Sequence, residues 1–157
     1  MIQRALVAFL ILPGSVAIAA PPLLALIDPW KEKGRAYGLF LMLAGSAILL
    51  RCVRDFLVSG KGTLAPWDAP ERMVVTGLYR HMRNPMYGGV ILLVLGWTIY
   101  YASPLLAAYT VLLTLGFHLR VVVGEEPWLA SQFGDQWERY RNGVPRWLPR
   151  ARPWKED

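Results

Sequence analysis

The stretch "PMYGGVILLVLGWTIYYASPLLAAYTVLLTLGF", Pro85 to Phe117, decides the fold: 33 residues pass without Asp, Glu, Lys or Arg. One bilayer crossing takes about 20 residues. The run is therefore too long for a single span, and Ser103-Pro104 interrupts it near its middle. Proline lacks a backbone donor and clashes with the turn before it, so a helix restarts there instead of continuing. The economical reading is an apolar helical hairpin with arms at 86–102 and 104–123. Just before it stands "GLYRHMRN", with Arg80, His81 and Arg83 in four positions, and just after it the pair Glu125-Glu126. A hairpin brings both flanks to one edge.

Composition agrees with a membrane chain. Of 157 residues 55% are hydrophobic, and the mean hydropathy is +0.33, above what a soluble domain of this length carries. There are 17 Lys and Arg against 11 Asp and Glu, a net charge of +6, with most of the basic residues between apolar runs. That pattern suits anionic headgroups and membrane lipids. It excludes nucleic acid as first partner, because a basic nucleic-acid-binding domain does not carry so much apolar surface. One cysteine, Cys52, excludes an internal disulfide, and with only two histidines no metal site is expected.

Working outward, residues 5–27 carry no charge, and their helical length of roughly 34 Å crosses a bilayer core. Arg4 and "AIA" at 17–19 also suit a cleaved signal peptide, but the apolar run continues through Pro21 and Pro22 to Ile27. A second span is expected over 36–57, with Arg51, Arg54 and Asp55 at the interface. The Gly- and Pro-rich segment 59–85 reads as a surface loop. The chain is thus one membrane domain, 1–157, all-α, with about four transmembrane helices. Arg4, six basic residues from Arg51 to Arg83 and seven from Arg120 onward share one side, against three on the other. The basic side is cytoplasmic by the positive-inside tendency, which places both termini and the site there, in a bacterial inner membrane.

The tail differs in kind. Pro127 suits a first helical turn, and Leu129, Phe133 and Trp137 recur at four-residue spacing with Trp128 and Tyr140 beside them. An amphipathic helix over 127–141 follows, lying on the membrane or capping the bundle. "VPRWLPR" ends it.

Membrane anchoring alone accounts for Arg80 and Arg83, and Tyr79 and Tyr87 are ordinary interfacial aromatics. It does not account for Glu125-Glu126: paired acids at a helix C-terminus oppose the macrodipole and repel each other. Their compensation is either a salt bridge to Arg83 or Arg120, or a ligand with hydroxyls and positive charge. His118 and Arg120, near the end of an apolar arm, either face protein or water or snorkel to the headgroups.

The combination "GLY…RNPMYGG", an apolar hairpin, "EEPWL", "FGDQWERY" and "VPRWLP" resembles the isoprenylcysteine carboxyl methyltransferase family, related to the phospholipid N-methyltransferases, over roughly Glu71 to Pro149. The resemblance implies a small integral membrane enzyme using S-adenosylmethionine. Carried onto this chain, it implies cofactor contacts from Met73, Val74, Tyr79, Asn84, Pro85, Met86, Tyr87, Glu125 and Glu126. Arg83, Arg120 and Glu126 would then serve the reaction. Members usually carry histidine where this chain has Asn84, whose amide both donates and accepts without titrating; their arginine a turn before the acids falls on Val121, beside Arg120. The chemistry is compatible: carboxylates suit ribose hydroxyls, Arg83 the methionine carboxylate, and tyrosine faces the sulfonium. The implied reaction is methyl transfer to a lipophilic or amphiphilic acceptor, of isoprenylcysteine-carboxylate or phospholipid-amine type. The alternative is a noncatalytic membrane scaffold or anionic-lipid-binding protein, which has no use for the acidic pair. A nicotinamide-dependent reductase is disfavoured by the short chain and the absence of a second basic cleft.

Overall fold

A computed structural model describes residues 10–55, 58 and 73–155. The start of the expected first span and the loop at 59–72 lie outside the described residues. Among the described residues all regular structure is helical. A segment with wide π-type turns, Leu10–Ala19, leads into α1, Ala20–Ile27. Then come α2, Gly38–Asp55, a single 3-10 turn, Gly77–Arg80, α3, Pro85–Tyr101, and α4, Pro104–Leu119. Wide π-type turns at Arg120–Glu125 carry α4 into α5, Glu126–Gly143. The stretch Pro104–Gly143, kinked at Gly134 where φ is 47°, is long enough and holds a window apolar enough to cross a membrane; Gly14–Ile27 and Pro85–Tyr101 are shorter apolar helices.

The hairpin turn forms where the sequence lacks a helical option. Ala102 closes α3 in the left-handed region at φ 43°. Ser103 then caps α4, its hydroxyl accepting from the Leu106 N–H at 3.1 Å, with Pro104 at the first turn. Asp28 braces this corner from α1: its carboxylate accepts from the Ser103 hydroxyl, from Leu105 N at 3.0 Å and from Trp30 N at 2.9 Å. The Ser103 hydrogen bond comes first among the causes that hold this buried carboxyl below its ordinary range despite desolvation. The 28–37 loop is tied to the same corner by Glu32 N to Ala102 O and Arg35 N to Ile99 O.

The central pair, α2 and α3, meets through glycine. A Cβ placed on Gly38 would lie 2.5 Å from the Gly96 carbonyl oxygen, and one on Gly45 2.6 Å from that of Gly89. The two glycines on each helix stand seven residues apart, two helical turns, so they face one seam. The pairing 38 with 96 and 45 with 89 makes the helices antiparallel. Small residues permit this backbone approach, which is how helices pack where the surroundings are as apolar as their own side chains. Leu49, Val90, Leu93 and Val94 continue the core with Ala17. Trp97 Nε1 and Tyr109 OH hook the leading segment by donating to the Ala17 and Val16 carbonyls, at 3.1 and 2.9 Å.

Outside that seam the bundle turns large apolar residues outward. Phe40, Leu43 and Leu50 on α2, with Val111, Leu112, Leu115 and Leu119 on α4, are each more than half exposed. Large apolar side chains exposed in such number on two helices suit apolar surroundings. The α5 face is different: Trp137, Tyr140 and Val144 are buried against Met73, Val75, Leu129, Phe133 and Trp154. This face of α5 is covered by the segment before the hairpin and by the chain that follows the helix.

Candidate functional site

Two carboxylates at the junction of α4 and α5 organise the site. Pro85 begins α3 and holds Asn84 outside the helical region, at φ −124° and ψ 53°, so the "RHMRN" segment crosses the end of the bundle instead of continuing the helix. Arg83 thereby reaches Glu126: its Nη1 donates to Oε1 at 2.9 Å, with both side chains largely buried, 9% and 13% exposed. Beneath Arg83 lies the Trp137 ring, 5.4 Å from guanidinium carbon to centroid. Glu126 is held from the other side by Arg146, whose Nε and Nη2 donate to Oε1 and Oε2 at 2.7 and 2.9 Å.

Glu125 has its own partners. It accepts from the Tyr87 hydroxyl in a very short hydrogen bond and from Arg120 Nε at 2.8 Å. Arg120 Nε also reaches the Tyr87 oxygen at 3.0 Å, and the Tyr87 ring packs on Phe117 at 4.5 Å. The two acids thus diverge, one toward the α3–α4 face and one toward the cap, which relieves the repulsion expected of adjacent carboxylates.

Protonation follows from these contacts. Burial pushes the Glu126 carboxyl up, but the Arg146 hydrogen bond and the charges of Arg83 and Arg146 prevail and hold it below the usual carboxylate range. Burial draws the Arg83 guanidinium down despite Glu126, and the hydrogen bond to Glu126 raises Arg146. Glu126 is therefore an anion at neutral pH whose first oxygen is already shared by two cations. One atom stands out: Arg83 Nε is buried with no hydrogen-bond partner among the described residues. A buried guanidinium N–H without an acceptor costs on the order of 1–3 kcal/mol, so it marks a place where an acceptor belongs.

Arg83, Asn84, Tyr87, Arg120, Glu125 and Glu126 are thus gathered at one edge. Met86 packs against the central core and against a neighbouring cluster of Cys52, Val74 and Tyr79. Pro85 is buried at the start of α3. The Tyr79 phenol is pushed well above its ordinary value, chiefly by burial, so it stays protonated; its carbonyl accepts from Tyr140 OH at 2.6 Å. Met73 packs under α5 with Trp137. His118, in the last turn of α4, accepts from Trp147 Nε1 at 3.1 Å. Arg146 and Trp137 were not foreseen as site residues. The arginine of "VPRWLP" and the tryptophan of "FGDQWERY" were both visible as motif positions, but nothing in the sequence gave their distance from Arg83. Among the described residues no cluster of His, Cys, Asp or Glu is arranged to hold a metal ion.

Comparison with known proteins gives this edge a family. The family described as phospholipid methyltransferase matches residues 34–136, which include α2, the hairpin, both acids and the start of α5. An "Uncharacterized protein" of Haemophilus influenzae is 33% identical over 63 residues, 40% of this chain and 100% of that one. The protein-S-isoprenylcysteine O-methyltransferase of Schizosaccharomyces pombe is 31% identical over 77 residues, 49% of this chain and 33% of that protein. A probable protein-S-isoprenylcysteine O-methyltransferase of Oryza sativa subsp. indica is 31% identical over 84 residues, 53% of this chain and 44% of that protein. The chain thus covers less than half the length of these two named methyltransferases. No solved structure matches. With two-thirds of its length matched, the hairpin and the acidic pair included, the chain belongs to the phospholipid methyltransferase family.

Proposed function

We propose that the protein is an S-adenosylmethionine-dependent methyltransferase of the membrane, with its cofactor held at the edge where Arg83, Asn84, Tyr87, Glu125 and Glu126 meet. One observation carries the reading: Glu126 grips a buried arginine whose Nε lacks an acceptor among the described residues, while its neighbour Glu125 turns to Tyr87 and Arg120. The donor set fits an adenosine bearing an amino acid. Glu125, a third exposed, is the acceptor for ribose hydroxyls, and Arg83 is the donor for a carboxylate. Tyr87 offers an aromatic face to the sulfonium, while Met73, Val74, Tyr79, Pro85 and Met86 supply the apolar wall behind it. S-adenosylmethionine supplies an activated methyl group on sulfonium, ready for in-line transfer.

Such a transfer neutralises charge and rests on positioning and exclusion of water, with little proton traffic. The residues agree with that demand. Glu126, kept ionised by two arginines, is suited to fixing Arg83 and poorly suited to taking a proton from the acceptor. Arg120, half exposed at the apolar edge, is placed to orient a polar group on a substrate arriving from the bilayer. The acceptor is lipophilic or amphiphilic, because the belt of exposed Leu, Val and Phe leads to this edge. Four spans, with both termini and the site on the cytoplasmic face of a bacterial inner membrane, accord with 14 basic residues on that side against three.

The test is binding to purified protein in detergent. Glu125→Ala and Tyr87→Ala should each weaken S-adenosylmethionine by at least about tenfold, roughly 1.4 kcal/mol. Unchanged affinity in both variants would move the cofactor elsewhere.

A further inference from the structure

Beyond α5 the chain runs back along the "RHMRN" segment as an extended strap. Val144 is buried at φ −125° and ψ 122°. From there the contacts run antiparallel. Arg83 N donates to Pro145 O at 2.9 Å, Arg150 N to His81 O at 2.9 Å, and Trp154 N to Arg80 O at 2.8 Å. Side chains add to the ladder: Asn84 Nδ2 donates to Arg146 O at 3.2 Å and Arg80 Nε to Trp154 O at 2.6 Å. His81 Nδ1 lies 2.8 Å from Arg150 O. Trp154 closes the far end against the Tyr140 ring, 5.7 Å away. A segment held at both ends presents the residue between them in one geometry, and near its start that residue is Arg146.

We infer that Arg146 is a positioning residue for the cofactor site proposed above, on which this inference rests: by gripping Glu126 it keeps Arg83 free to receive the carboxylate of the ligand. The geometry is a competition for one acceptor. Arg146 holds both oxygens of Glu126 in a fork, at 2.7 and 2.9 Å. Arg83 is left a single contact, through Nη1 to the shared Oε1. Among the described residues its Nε remains without an acceptor in a buried position. Arginine and carboxylate prefer the two-pronged arrangement. With Arg146 removed, Glu126 is free to turn and give that arrangement to Arg83, so the orphan donor is satisfied from within and the place for an external anion is lost. Lysine cannot substitute, since a point charge on a flexible stem makes no fork.

This account separates Arg146 from a residue that merely supports the fold, because it confines the loss to one part of the ligand. The experiment measures calorimetric affinity of the full-length protein in detergent for two probes. S-adenosylhomocysteine carries the amino-acid carboxylate, and 5′-methylthioadenosine lacks it. Arg146→Gln should weaken S-adenosylhomocysteine by about tenfold, the scale of one charge-assisted contact, and change 5′-methylthioadenosine less than about twofold. Arg146→Lys should show the same selective loss, and it decides the matter should the glutamine variant fail to fold. Equal weakening of both probes, or wild-type affinity in the lysine variant, would overturn the inference. Failure of the wild-type protein to bind either probe would instead overturn the cofactor site itself.

Discussion

Glu126→Gln removes the charge on which the site is built while keeping its shape, and its cost follows from the two ion pairs it breaks. Arg83 is 9% exposed and Glu126 13%, close to the buried limit where deleting one partner of an ion pair costs about 3–5 kcal/mol. Glutamine can still accept one hydrogen bond, so the lower end applies, about 3 kcal/mol. The Arg146 half is 31% exposed and, screened by water, adds less than about 1 kcal/mol. For a domain of this length roughly 2–4 °C of melting temperature follows each kcal/mol. The expected drop is therefore on the order of 6–12 °C, read by tryptophan fluorescence during heating in detergent. Glu138→Gln is the control: its pair with Arg141 has both side chains about half exposed, so its removal should shift the midpoint by less than about 2 °C. Equal shifts in the two variants would refute the claim that the Arg83–Glu126–Arg146 cluster is buried and mutually dependent.

Three other outcomes follow from the same structure. Gly45→Leu should abolish monodisperse protein on size exclusion, since a Cβ at Gly45 already meets the Gly89 carbonyl; Gly116→Ala, with open space around it, should elute as wild type. Stability should be flat near neutrality and fall only below about pH 4.5, the unfolded carboxyl value. A carboxyl lowered on folding contributes stability above its unfolded value and loses it as pH falls through its folded one; Glu126→Gln should make that acid limb shallower, leaving the part due to Asp28, and an unchanged limb would refute a contribution from Glu126. For topology, cysteines placed at Lys33 and at Arg152 in a Cys52→Ala background should label from opposite sides of the membrane, and labelling from one side would refute the four-span arrangement. Cys52 itself is unsuited to this because it is fully buried between α2 and the Tyr79 turn.

The hairpin and the meeting of its flanks could be read from residue order, because a charge-free run and a Ser-Pro break are local signals. The convergence of Arg83 and Tyr87 with the acids needed only that hairpin. What residue order does not show depends on distance along the chain. The strap is held largely by main-chain groups that every residue carries, 62 positions or more from their partners, so "VPRWLPR" showed where a helix stops but not where the chain goes next. Asp55 illustrates a second cause. Its charge placed it at the interface, yet it is buried, beside its partner Arg51 on the same helix and against Gly77. That turn takes φ +55°, and any Cβ there would strike the Asp55 carboxylate, so the glycine both makes the turn and clears room for the acid. The glycine seam left a trace in its seven-residue spacing, but two segments had to be aligned before it carried meaning.

The most direct measurement is titration of S-adenosylmethionine into the purified, folded full-length protein in detergent, followed by calorimetry. The account predicts saturable binding at one site per chain, weakened by loss of Glu125. Absence of binding under conditions where the protein remains folded and monodisperse would contradict it.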